Sequence, residues 1–167
     1  MGRSIPNFLA AIALGCAANQ AEPTATESPA MTDRTDRNRR LIRDLYDQRI
    51  NTGRLERLDE IVSESYVGPQ GEKGPAGFAR TIELLRTGVP DIHFTVEEIL
   101  ADGDGVAIRW SWRGTHTGPL RQFPASHKPV ETTGISMYHF DGDKIDRAVV
   151  QTDRLGLLQQ IGVVPVL

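Results

Sequence analysis

Cysteine is nearly absent. A single Cys16 in 167 residues leaves no partner for an intrachain disulfide and no thiolate set for a Cys-rich zinc site. Charge of one sign is lacking too. The 19 Lys and Arg against 22 Asp and Glu leave a net charge of −3, with no basic stripe, so nucleic acid is not an expected partner. No apolar run reaches the roughly 18–20 residues that cross a bilayer. The four histidines show no pair with ligand spacing on one face, so no metal site is expected. The G-x-x-x-x-G-K-[ST], G-x-G-x-x-G, G-x-S-x-G and H-E-x-x-H signatures are all missing. No cofactor is expected. Carboxylates, histidines and hydroxyls remain for proton-transfer chemistry.

What is present begins at the N-terminus. "MGRSIPNFLAAIALGC" combines Arg3, a short apolar run from Phe8 to Leu14, and Gly15-Cys16. This is the layout of a secretory signal (1–16) ending in a lipid-attachment cysteine, with Cys16 as the acylated residue. Residues 17–31, "AANQAEPTATESPAM", are small, polar and Pro/Thr-rich, and read as a disordered tether to an exported, lipid-anchored domain. The competing reading starts translation at Met31 and gives a cytoplasmic product.

Residues 32–167 carry the domain. Thr32 and Asp33 are placed to cap a helix whose inner face is Leu41, Ile42, Leu45, Tyr46 and Ile50, closed by Gly53. A short second helix is expected with Leu55, Leu58, Ile61 and Val62 inward. A third, with Pro75 in its first turn, is lined by Phe78, Ile82 and Leu85. After Pro90 the period becomes two. Four antiparallel strands follow, with "DGDG" and "DGDK" as hairpin turns. "DRLGLLQQIG" reads as a short terminal helix. The expected class is α+β: a curved antiparallel sheet wrapped by three N-terminal helices, with a short C-terminal helix.

Within "VAIRWSWRGTHTG", Val106, Ile108, Trp110, Trp112 and His116 share one face. The tryptophan pair serves either as core or dimer packing or as a wall against a hydrophobic ligand. His116 is either a satisfied structural group or a polar pocket group. Asp153 also has two readings. As an N-cap it accepts from the amides of Leu155 and Gly156. As a base it stands partly dehydrated beside apolar surface, with Gln151 on the same face to orient it.

The chain from residue 40 onward resembles the SnoaL-like polyketide cyclase, or ester cyclase, family of the nuclear-transport-factor-like cone fold. The likeness is carried by "LYDQRINTGRLERLDEIVSESYV", "RWSWRGTHTG", "GISMYHFDGDKI" and "DRLGLLQQIG". It implies a cone with a mostly apolar pocket, members that commonly pair through the sheet as homodimers, and aldol ring closure without cofactor or metal. It also implies Asp153 as acid/base and His116 as a pocket group. Trp110, Trp112, Ser136, Tyr138, Tyr66 and Gln151 are the expected substrate contacts. The sequence departs from the family pattern at "YVGPQG", where Gly68 follows in place of a frequent histidine, and at "DRAVVQTD", where Ala148 and Val149 replace bulkier groups. The functions to be separated are an acid/base enzyme acting on a small hydrophobic carbonyl compound, a non-catalytic small-molecule-binding lipoprotein, and a structural protein presenting its sheet.

Overall fold

The structure is a computed structural model that describes residues 29–166. The expected signal segment, Cys16 and most of the expected tether lie outside the described residues. Helix α1 (Pro29–Asp44) starts before the expected cap at Thr32 and runs on as a π-helical stretch, Leu45–Ile50. A single 3-10 turn (Leu58–Glu60) precedes strand β1 (Val62–Val67). Helix α2 (Gly74–Gly88) leads to β2 (His93–Asp102), β3 (Gly105–Thr115), β4 (Pro129–Asp141) and β5 (Lys144–Thr152). Helix α3 (Arg154–Gln160) ends the described fold.

The sheet order is β1-β5-β4-β3-β2, an open five-stranded sheet. The meander β2–β5 is antiparallel throughout, as the alternating pattern predicts. Both tight turns carry glycine at positive φ, Gly103 at +53° and Gly142 at +62°.

Two expectations need correction. The second helix shrinks to one 3-10 turn, and Val62 belongs to a fifth strand. That strand, β1, pairs parallel with β5 at the sheet edge. Its sequence, VSESYV, buries only Val62 and Tyr66. An edge strand with two buried residues four apart mimics a helical stripe, which is why periodicity misplaced it.

The inner face of the sheet is the core. Val106, Ile108, Trp110 and Trp112 of β3 alternate inward with Val130, Tyr138 and Phe140 of β4. Helix α1 closes one end of the cone by gripping both hairpin turns. Asn38, fully buried, donates Nδ2 to the Gly103 carbonyl at 2.9 Å, and Thr35 Oγ1 accepts from the Gly103 amide. Arg34 and Arg37 pair with Asp104 and Asp143 in the two turns.

Asn38→Ala should lower stability by about 1–3 kcal/mol, because it strands a buried carbonyl. Arg37→Ala, at the surface, should cost under ~1 kcal/mol. Urea unfolding midpoints at constant m would show this order, and equal midpoints would refute the clamp.

Candidate functional site

Inside the cone, side chains from six elements converge. Trp110 projects from the middle of β3. Its Nε1–H donates to Ser136 Oγ at 2.8 Å on the neighbouring strand. The indole can lie this close because β4 carries Gly134 beneath it. A Cβ there would stand 2.3 Å from the indole Cζ2. Phe94 meets Trp110 edge-on, centroids 5.5 Å apart, and lies against Trp112 at 6.4 Å. Phe94 is itself clipped by Asn51, which donates to its carbonyl and accepts from its amide.

Asn51 follows directly on the π-helical stretch, and that stretch delivers Tyr46. Tyr46 packs edge-on against Phe94 at 5.7 Å, and its hydroxyl meets that of Tyr138 at 2.7 Å. Tyr66 enters from β1, edge-on to Phe78 at 5.6 Å. The chain has three tyrosines, and all three are buried here. Burial pushes the Tyr46 phenol up to about 12, despite opposing hydrogen bonds from Tyr138 and Ser136. Burial, reinforced by Tyr46, raises Tyr138 well above the usual phenol range. Burial also raises Tyr66, with the charges of Tyr138 and Glu72 adding to the effect.

His116 lies just beyond the end of β3 and is fully buried. Its Nδ1 receives the Ser126 amide at 3.2 Å and lies 3.0 Å from Ser126 Oγ. A backbone N–H can only donate, so Nδ1 is the acceptor and the neutral ring carries its proton on Nε2. Among the described residues, Nε2 has no hydrogen-bond partner. Burial, then the neighbouring His127, holds the His116 pKa below the ordinary histidine value.

The structure therefore brings together Trp110, Trp112, Ser136, Tyr138 and Tyr66, with His116 buried just beyond the end of β3. It sets two of the expected residues apart. Gln151 pairs in register with Ile135 and faces outward, exposed, because the inward positions of β5 are Ala148, Val150 and Thr152. Asp153 is exposed, and its Oδ1 caps α3 by accepting from the Gly156 amide at 2.8 Å. The partly dehydrated carboxylate that the sequence suggests is not the arrangement seen; the cap of α3 is. Tyr46, Phe94, Asn51 and Gly134 were not among the expected site residues. Tyr46 was visible as the one phenol in an otherwise aliphatic helical stripe.

The outer face of the sheet carries a row of exposed apolar side chains in register. Leu100, Ala107, Met137 and Val149 cross four strands, with Ile135 beside them. A separate surface cavity of about 520 Å³ is lined by Gly53, Leu55, Glu56, Ala79, Glu83, Arg86 and Thr87. Its one cation, Arg86, is spent on the carbonyls of Ile50, Asn51 and Pro90. It lies apart from the aromatic and hydroxyl cluster, and we assign no chemistry to it. Among the described residues no cluster of His, Cys, Asp or Glu could hold a metal, and no helix is long and apolar enough to cross a membrane.

The profile of the SnoaL-like polyketide cyclase family matches residues 40–161. This chain belongs to that family. A candidate polyketide cyclase from Acidithiobacillus ferrooxidans is 28% identical, with a TM-score of 0.67 over 75% of this chain and 94% of that one. IdmH from Streptomyces antibioticus, also a candidate polyketide cyclase, is 27% identical, with a TM-score of 0.64 over 75% and 99%. A SnoaL-like protein from Jannaschia sp. CCS1 is 20% identical, with a TM-score of 0.73 over 84% and 99%, and supports the fold. No curated protein sequence matches this chain.

The tyrosine cluster makes a pH prediction. The folded phenols keep their protons above the unfolded value of about 10. Their contribution to stability is therefore complete below pH ~10 and lost as pH rises beyond it. Absorbance at 295 nm should stay flat through pH 10 and rise only together with unfolding. A separate native-state titration near 10 would contradict the burial. For His116 the sign is opposite: with a folded pKa below the unfolded ~6.5, stability falls as pH drops under 6.5.

Proposed function

We propose that this protein holds a small hydrophobic carbonyl compound inside the cone. The observation that carries the reading is the buried His116 Nε2–H, which has no acceptor. Leaving a buried donor unmatched costs about 1–3 kcal/mol. A guest oxygen would recover that free energy. Elsewhere in the cone interior Trp110, Trp112 and Phe94 offer an aromatic wall for the body of such a guest.

A second reading adds acid/base chemistry by Asp153. It is supported by the position of this carboxylate, at the start of α3 where the family resemblance expects the acid/base group, and by Oδ2, which takes no hydrogen bond among the described residues. In this reading the carboxylate removes the proton alpha to the carbonyl and returns one to the product oxygen. No cofactor or metal takes part.

Native mass spectrometry of the purified protein should reveal a co-purifying apolar compound, and His116→Leu should lose it. A wild-type protein that carries no such compound would refute the binding reading, and retention by His116→Leu at wild-type occupancy would remove His116 from it. With that compound or its precursor as substrate, Asp153→Asn should abolish turnover by 100-fold or more while binding persists, on the scale of typical acid/base contributions of about 10²–10⁴. Unchanged turnover would leave Asp153 as a cap alone.

We further propose that two copies pair through the outer sheet face. The apolar row Leu100–Ala107–Met137–Val149 supports this, since contiguous exposed apolar surface marks interaction sites. Met137→Lys should shift the mass in light scattering from dimer to monomer. A wild-type monomer, or a dimer indifferent to the substitution, would defeat the proposal.

A further inference from the structure

The cone holds a second set of polar groups, away from His116, and their proton count is informative. An indole N–H only donates, so the Trp110–Ser136 bond has one polarity. It occupies Ser136 as an acceptor and leaves the serine its own proton to give away. Ser136 stands two residues from Tyr138 on the same inward face of β4, and as a hydrogen-bonding group it opposes the rise of both phenol pKa values. The pair itself holds two phenolic protons and shares one bond at 2.7 Å. Whichever tyrosine donates in that bond, the other keeps a proton to place. Among the described residues no backbone carbonyl or carboxylate bonds either phenol oxygen.

We propose that Tyr46 and Tyr138, aligned by Trp110 and Ser136, form a paired-phenol site that gives its one free proton to the carbonyl oxygen of a flat, unsaturated guest. The proposal rests on the reading of the cone interior as a binding site and deepens it. Three features support it. Each donor is held by its own device: Trp110 over Gly134, Tyr46 on the π-helical stretch, Tyr138 on β4 in register with Ala148 of β5. Local π-helical turns in otherwise α-helical segments occur often at functional sites. Hydroxyls in series polarise one another, so the terminal proton is a stronger donor than an isolated phenol, and most so toward an oxygen gaining negative charge. The strand residues beside Tyr138 are small, with Ala148 in register on β5 and Ser136 two residues back on β4. The rings of Phe94, Trp110, Tyr66 and Phe78 suit an unsaturated framework.

The test compares two probes of similar shape, 2-acetylnaphthalene and 2-isopropylnaphthalene, titrated into the full chain with tryptophan fluorescence and equilibrium dialysis as readouts. Both should bind, the ketone about 10-fold tighter. Tyr46→Phe and Tyr138→Phe should each pull the ketone down to the level of the hydrocarbon and leave the hydrocarbon unchanged. A measurement on the wild type guards against variants that fold poorly: the bound ketone's C=O stretch should fall below its value in an alkane solvent. If both probes bind without preference and the stretch is alkane-like, the phenol protons close on Ser136 and the donor proposal fails, while the binding reading stands. If neither probe binds, both fail.

Discussion

Everything in the cone is arranged around one indole. Trp110 lies across the backbone of Gly134, gives its N–H to Ser136 and takes the edge of Phe94 against its ring. None of these contacts is free to vary alone. A side chain at position 134 would lift the ring, and with it the Ser136 bond and the Phe94 contact. Phe94 is fixed in turn by Asn51, and Asn51 ends the π-helical stretch that carries Tyr46. The sheet, the first helix and the hydroxyl cluster are therefore coupled through a few close contacts, in an interior where small changes of volume are felt.

That coupling explains why the polar groups cost the fold little. Ser136, Tyr46, Tyr138 and Trp110 are all buried, but each has a partner in the others, so that no more than one phenolic proton is left to place. The clamp of Asn38 and Thr35 on Gly103 works the same way at the closed end of the cone. His116 differs. One nitrogen is satisfied by Ser126 and the other is not, so its imidazole is held in a fixed tautomer with a donor to spare.

Much of this was legible in the sequence, and the reasons differ by element. Strand β3 was clear because strict alternation from Val106 to Trp112 has no helical counterpart, and its inward face is the one the spacing assigns. The hairpins were clear because Asp-Gly pairs at both turns require left-handed glycines. β1 was hidden because an edge strand buries too few residues to show a period of two. The π-helical stretch left no trace in composition, since a local change of winding alters which residues face inward without changing what they are. Gln151 was misjudged for a related reason. β5 has a register irregularity after its first residues and an inner face of small groups, so neither size nor polarity marked which side faced in.

Asp153 shows where residue-by-residue reading stops. Its type and its place before "RLGLLQQ" suit both a cap and a base, and only the surroundings separate the two. Here the Gly156 amide takes one oxygen, and the side chain stands in solvent. For this residue to act on a guest inside the cone, the start of α3 would have to turn its carboxylate away from Gly156 and toward the β4–β5 edge. Trp110, Ser136, Tyr138 and Tyr46 need no such movement to face the interior: β3, β4 and the π-helical stretch already hold them there.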